Sequence, residues 1–373
     1  MEKTKFNPTR LKEARIARGL TKKELADKTG ISRQMISNYE LGKTTPGATN
    51  LLAIIKELDF PKNFFSSNPE NIYRGTTFFR SQAAATKRAR DMQSIRLKFQ
   101  KEIYNIFSLY VNFPEVNLPE PLLKNVEDIT EEDIENMAIC LRKCWKIDMQ
   151  SPLHDLIGNA ETNGVIVVES NMQHDKLDAV SEWIGDRPFI MLTDNQESAV
   201  RRRFNIAHEL GHLLLHGDVE SIHDYSSNEL KIIEKQADYF ASCLLLPEEA
   251  FIRSLLSINL EYYIELKKYW TVSMQAMIMR TFQIGLINED QKLYLFKRIS
   301  LNKWKSKEPL DNVIISEKPT LYHEVFQMII ENDLLTKNEL INQLALPNDE
   351  LEKSLNITIE KIYNNVTPFL RLV

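Results

Sequence analysis

Cysteine is nearly missing. The 373 residues hold three, Cys140, Cys144 and Cys243, too few for a disulfide framework. That excludes a stapled secreted fold and suits a reducing cytoplasm. Cys140 and Cys144 stand four apart, not as CxxC, and read as small buried hydrophobes rather than a redox or metal pair. No stretch approaches about 18 apolar residues, so no helical membrane span is expected. The start, MEKTKFNPTRLKEARIARG, lacks the apolar core of a secretory signal. A cytoplasmic protein without a membrane partner is expected. What is present is ordinary globular material, 43% hydrophobic and 27% charged, with length for two or three domains.

The net charge of -5 conceals an asymmetry. Residues 1–102 carry 21 Lys and Arg against 10 Asp and Glu, a net of +11; the remainder carries 26 against 42, a net of -16. A basic front on an acidic body suggests one part facing a polyanion and another with a different task.

Within the front, LTKKELADKTGISRQMISNYELGKTTPG is punctuated as two short helices around a tight turn. Thr21 with Glu24 forms a capping box that starts a helix at Lys22. Gly30 stops it, and Ser32 caps a second helix reaching about Glu40. Leu25, Ala26, Ile31, Ile36 and Tyr39 fall where the two would pack. Arg33, Gln34, Ser37 and Asn38 are left on the outer face of the second helix, flanked by Lys22 and Lys43. Any solvated helix is polar outside, but Gln and Asn can pair with adenine, Arg with guanine, and Lys with phosphates. This stretch resembles the Cro/repressor-type (XRE) helix-turn-helix family over about residues 7–65. The resemblance implies a five-helix bundle, an operator in double-stranded DNA and a homodimer. It puts base contacts on Arg33, Gln34 and Asn38 and a phosphate contact on Lys22.

Residues 66–80 read as an irregular connection, followed by a long helix over about 81–110. Met92, Ile95, Phe99, Ile103, Ile106 and Tyr110 repeat at helical spacing. They suit packing onto the chain's own core, with self-association as the sharper alternative. Pro114, Pro119 and Pro121 break the chain before a helix at 131–146 opened by Thr130 and Asp133. GVIVVES (164–170) and PFIMLTD (188–194) read as strands.

The run RFNIAHELGHLLLHG carries an apolar helical pattern in Phe204, Ile206, Ala207, Leu210, Leu213 and Leu214. His208 and His212 are one turn apart, about 6 Å along the axis, so both rings can reach one tetrahedral Zn²⁺. Glu209 beside them can take a proton from an activated water. By itself the pattern also fits a buried histidine pair bonded to backbone. A third ligand is needed. His216 is too far along a continuous helix and reads as a helix-end residue. Glu234, in ELKIIEKQADYFASCLLLPEEA, is the better candidate, with Asp238 one turn later placed to hold the outer N–H of a ligand histidine. Alone, the two acids also fit a solvated pair; next to an HExxH helix, ligand and histidine partner are preferred. His223 and Tyr225 are guesses for the oxyanion stabiliser.

RRRFNIAHELGHLLLH and EKQADYFASCLLLP resemble the two signature helices of the ImmA/IrrE metallopeptidase family, over about residues 130–300. The resemblance implies a gluzincin-like α+β domain with zinc ligands His208, His212 and Glu234 and general base Glu209. It also implies a helix-turn-helix repressor as substrate. Here the DNA-binding module is fused to the peptidase, so the target is either a separate repressor or the chain itself.

The expected protein is α+β and mostly α-helical. It has a helix-turn-helix head (1–66), a helical linker (67–129), a zinc metalloendopeptidase body (130–300) and a helical tail (301–373). The rival is a transcription factor whose zincin-like fold senses a ligand or stress and never cuts.

Overall fold

The computed structural model describes residues 6–67, 77–79, 87–170, 179–193, 198–217 and 225–359. The head comprises α1 (Pro8–Ala17), α2 (Lys22–Thr29), α3 (Arg33–Glu40) and α4 (Ala48–Leu58), closed by a 3-10 turn at Lys62–Ser66. The fifth helix of the expected bundle is thus only that turn. Thr21 and Glu24 form the reciprocal capping box of α2, Gly30 follows at φ 72°, and the Ser32 side chain accepts from the Met35 amide. Leu25, Ala26, Ile31, Ile36 and Tyr39 are all buried.

After the head come β1 (Thr77–Phe79) and α5 (Lys87–Phe107). Ile95, Phe99 and Ile103 are buried within the chain's own core, so the seam is spent internally. Leu97, Gln100 and Arg96 are buried too, which makes α5 a spine enclosed on several sides. A bidentate pair, Arg10 to Glu102 at 2.8 and 2.9 Å, fastens α1 to it.

The body begins with α6 (Glu131–Cys144), opened by the Thr130–Asp133 capping box, and α7 (Leu156–Thr162). β2 (Ile166–Ser170), β3 (Ala179–Ile184) and β4 (Arg187–Thr193) complete, with β1, a sheet of order β1-β3-β4-β2. β2 runs parallel to β4; β3 is antiparallel to β4 and to β1. Gly185, at φ 66°, makes the turn between β3 and β4.

This sheet divides two cores. Val167, Ala179, Ile190 and Leu192 face the helices of the body, whereas Ile166, Val168, Val180, Phe189 and Met191 face α5 and the head. Alternation along each strand therefore sorts side chains between two dry interiors. Unbroken apolar runs such as VIVV and FIML are the sequence consequence.

α8 (Ala199–Leu215) and α9 (Ser227–Leu245) lie beneath the sheet, followed by α10 (Glu248–Ser254), α11 (Leu260–Trp270), α12 (Met274–Gln283) and α13 (Glu289–Leu301). The chain then returns toward the head through α14 (Leu321–Glu331), α15 (Lys337–Leu344) and α16 (Asn348–Leu355). Tyr322, Phe326, Ile329, Leu340 and Leu351 join the head-side core. Arg18, the C-cap residue of α1, pairs with Asp349 at 2.5 Å, and Arg96 with Glu350 at 3.1 Å. The protein is α+β and mostly helical, and no helix among the described residues is long and apolar enough to cross a membrane.

The cysteines depart from expectation in burial. Cys243 is buried, but Cys144 is half-buried and Cys140 exposed, because the α6 face that carries Cys140 points away from the core.

Candidate metal centre

The second half of α8 runs between the sheet and α9, so the polar residues from Asn205 to His212 cannot turn to water. His208, Glu209 and His212 have no exposed surface at all. Polar groups enclosed in this way must find partners, and these do. The two helices approach closely at Gly211, where a side chain would collide with Phe240 and the backbone of Ala237.

His208 and His212 aim their Nε2 atoms at each other across 2.9 Å. Glu234 of α9 brings Oε2 to 3.5 Å from His208 Nε2 and Oε1 to 3.8 Å from His212 Nε2. Among the described residues these three form a set whose ligand atoms all lie within 4.8 Å of one another. Two ring nitrogens at that separation cannot both carry hydrogen. The arrangement calls for a proton or a cation between them, and two imidazoles with one carboxylate suit zinc with an open fourth position. The donor set fits a divalent metal.

The far sides of the rings are also held. His208 Nδ1 lies 2.8 Å from Asp238 Oδ1, the contact foreseen between an α8 histidine and the acid one turn after Glu234. Since a carboxylate only accepts, His208 Nδ1 carries the hydrogen and Nε2 the lone pair. His212 Nδ1 faces His216 Nδ1 at 3.2 Å. His216 closes α8 as its C-cap residue. Burial pushes its pKa down to about 4; the bond to Gln236 opposes the shift.

Glu209 Oε2 accepts a 2.6 Å hydrogen bond from Ser181 Oγ. Ser181 was not anticipated. It sits in the middle of β3, facing α8, and the polar pair Ser181–Glu182 interrupts the alternation that would have announced a strand. Gln236 was missed as well, hidden in the solvated-looking run EKQAD. Tyr225 lines a cavity of about 560 Å³ with His216, Leu215, Val126 and Leu122. His223 lies outside the described residues.

At the head, Arg33 and Gln34 are exposed on α3 and Asn38 is half-buried. Gln34 Nε2 donates to Asn38 Oδ1 at 3.3 Å, so the two share one stripe. Lys22 Nζ reaches Ser37 Oγ at 3.2 Å and Glu40 at 3.5 Å, and Lys43 is exposed beyond the end of α3.

Fold and site together define a chain with a helix-turn-helix head and a metallopeptidase-like body. Comparison with known families agrees: residues 11–65 match the family described as Helix-turn-helix, and residues 160–282 match the peptidase family described as IrrE N-terminal-like domain. Among solved structures, a Mycobacterium tuberculosis transcriptional regulator aligns at 17% identity and a TM-score of 0.31, over 52% of this chain and 53% of that one. The alignment thus spans about half of that protein. Comparison with curated proteins gives no match.

Proposed function

We propose that the chain is a DNA-binding regulator whose body is a zinc-dependent endopeptidase of narrow specificity. The observation that carries this reading is the convergence of His208 Nε2, His212 Nε2 and the Glu234 carboxylate beside a buried Glu209. His208, His212 and Glu234 would hold the metal, and Asp238 fixes the His208 ring through Nδ1. Bound there, zinc supplies a water of lowered pKa and a Lewis acid for the scissile carbonyl. Glu209 acts as general base and then acid, taking a proton from water and delivering it to the leaving amine. Ser181, donating to Oε2, holds that carboxylate in one orientation.

The head reads an operator through Arg33, Gln34 and Asn38, with Ser37 in the same interface and Lys22 and Lys43 on phosphates. Binding as a homodimer would match a two-fold operator. The substrate is a helix-turn-helix repressor, either a neighbour on the same DNA or this chain. A DNA-bound head raises the local concentration of the body near such targets, to about millimolar through a short tether. In favour of the chain's own connector, Thr77–Phe79 pairs antiparallel with β3, opposite Val180, Ser181 and Glu182. The same covered edge also favours the sensor reading, in which the site stays closed and never cuts.

The test compares wild type with Glu209→Gln, both zinc-loaded and both able to bind DNA, with the repressor of the neighbouring gene co-expressed. Loss of that repressor, or scission of this chain between residues 66 and 80, should occur in wild type and vanish in the variant. Equal target levels and equal transcription in the two strains would leave the sensor reading.

A further inference from the structure

At one end the sheet finishes on β1, and the place β1 takes is the one beside the proposed general base. β3 is tied to α8 at two points: Ser181 Oγ donates to Glu209 Oε2 at 2.6 Å, and Trp183 Nε1 donates to the Leu213 carbonyl at 3.0 Å. β3 therefore tracks α8 along the HELGH segment. One side of β3 is held by β4, with Ser181 opposite Ile190; the other is held by Thr77–Phe79, with Phe78 opposite Ser181. Among the described residues no strand lies beyond β1. Neighbouring strands stand about 4.8 Å apart, so the β1 backbone runs one strand spacing from the residue that holds Glu209. An extended segment that pairs with this sheet to offer a peptide bond to Glu209 has to lie on that same edge.

We infer that Thr77–Phe79 is a resident inhibitor strand: it fills the edge of β3 that an extended segment of a target in trans must take. The inference rests on the peptidase reading above and adds its regulation. Three residues make a short strand with few ladder bonds, so the hold is weak and reversible. Its strength comes from connection. β1 belongs to the connector between the 3-10 turn ending at Ser66 and the start of α5 at Lys87. A short tether keeps an attached strand at about millimolar effective concentration. A free peptide has to outcompete that, whereas a target brought close on the same operator meets the edge at a comparable concentration. Narrow specificity then follows from occupancy of the edge as well as from the shape of the site.

The experiment uses full-length protein and the alternation of a strand. Successive residues turn their N–H groups to opposite sides. Of Phe78→Pro and Phe79→Pro, one therefore removes a ladder bond to β3 and the other only an outward N–H, which an edge strand tolerates. The probe is a labelled peptide copying residues 74–82, RGTTFFRSQ. Its binding is read by fluorescence anisotropy in a Glu209→Gln background, so that no cut intervenes. The ladder-breaking variant should bind it about tenfold tighter than Glu209→Gln alone, about 1.4 kcal/mol, while the other stays unchanged. Hydrogen exchange over Ala179–Ile184 should quicken in the ladder-breaking variant only. With Glu209 restored, that variant should also cut the peptide faster. Equal peptide affinity in all three proteins would overturn the inference. So would wild-type exchange across Val180, Ser181 and Glu182 without protection at the amides facing β1, a result that needs no variant. Equal cutting by wild type and both proline variants would likewise sink the inhibitor role. If the ladder-breaking variant binds the peptide tighter and no protein cuts, the peptidase reading fails alone and β1 stands as the occupant of the edge.

Discussion

Replacing Gly211 by alanine probes the joint on which the site depends. Gly211 lies between Glu209 and His212 on α8, and an added methyl would stand 3.0 Å from Phe240 Cδ1, 3.2 Å from Phe240 Cβ and 3.2 Å from Ala237 Cα. Carbon atoms prefer about 3.5–4.0 Å. α9 would have to retreat by a few tenths of an ångström. Overpacking of this kind costs about 1–3 kcal/mol, and alanine's better helix propensity returns about 1 kcal/mol. The metal-free protein should therefore lose only about 0–2 kcal/mol in urea denaturation. Zinc is more sensitive, because Glu234 rides on α9 and metal–ligand distances tolerate only about 0.2 Å. A fall of about tenfold or more in zinc affinity, roughly 1.4 kcal/mol, should appear in chelator competition. Adding Phe240→Leu relieves the ring contact but not the one to Ala237 Cα, so recovery should be partial. Wild-type zinc affinity together with a gain of about 1 kcal/mol in stability would show that the helices do not meet at Gly211.

Other expectations concern the head, the joint behind it and pH. Gln34→Ala and Asn38→Ala should each cost about 1–3 kcal/mol of operator binding and relax base preference locally, whereas Lys43→Ala should weaken all sequences alike and lower the salt slope by about one; unchanged sequence preference in selection-based binding assays would displace the groove-facing set. Asp349→Ala removes the partner that Arg18 holds in two hydrogen bonds. With Asp349 about a third exposed, the loss should be about 1 kcal/mol, read as a lower urea midpoint, and no change would show that the pair does not fasten the head to α16. His216 titrates at about 4 in the folded state and at about 6.5 when unfolded. The unfolded chain thus binds the extra proton first, so metal-free stability contributed by this ring is complete above about 6.5 and lost as pH falls toward 4. A His216→Leu protein should lack that part of the pH dependence.

Much of the site could be read in the sequence because it is local. The spacing of HELGH, the caps Thr21, Ser32 and Thr130, and the apolar stripe of α9 all act within one helix. β3 could not be read in that way. AVSEWI looks like a solvated stretch, yet Ser181 is buried because Glu209 awaits it and Glu182 lies inside the sheet. The double-faced burial of β2 and β4 likewise follows from having a core on each side, which no single strand discloses. Gln236 and His216 acquire meaning only when α9, α8 and the Val126–Ile129 segment are brought together. The same holds for α14, α15 and α16, whose short amphipathic patterns name no partner until Arg18 and Arg96 are seen reaching Asp349 and Glu350.

The most direct measurement of the proposed metal site is zinc-edge X-ray absorption on the zinc-loaded full-length protein. Two imidazole nitrogens at about 2.0–2.1 Å and oxygen ligands at about 2.0–2.2 Å, with no sulfur shell, are expected from His208, His212 and Glu234. A sulfur at about 2.3 Å, or a third imidazole, would contradict the assignment of Glu234 as the third ligand.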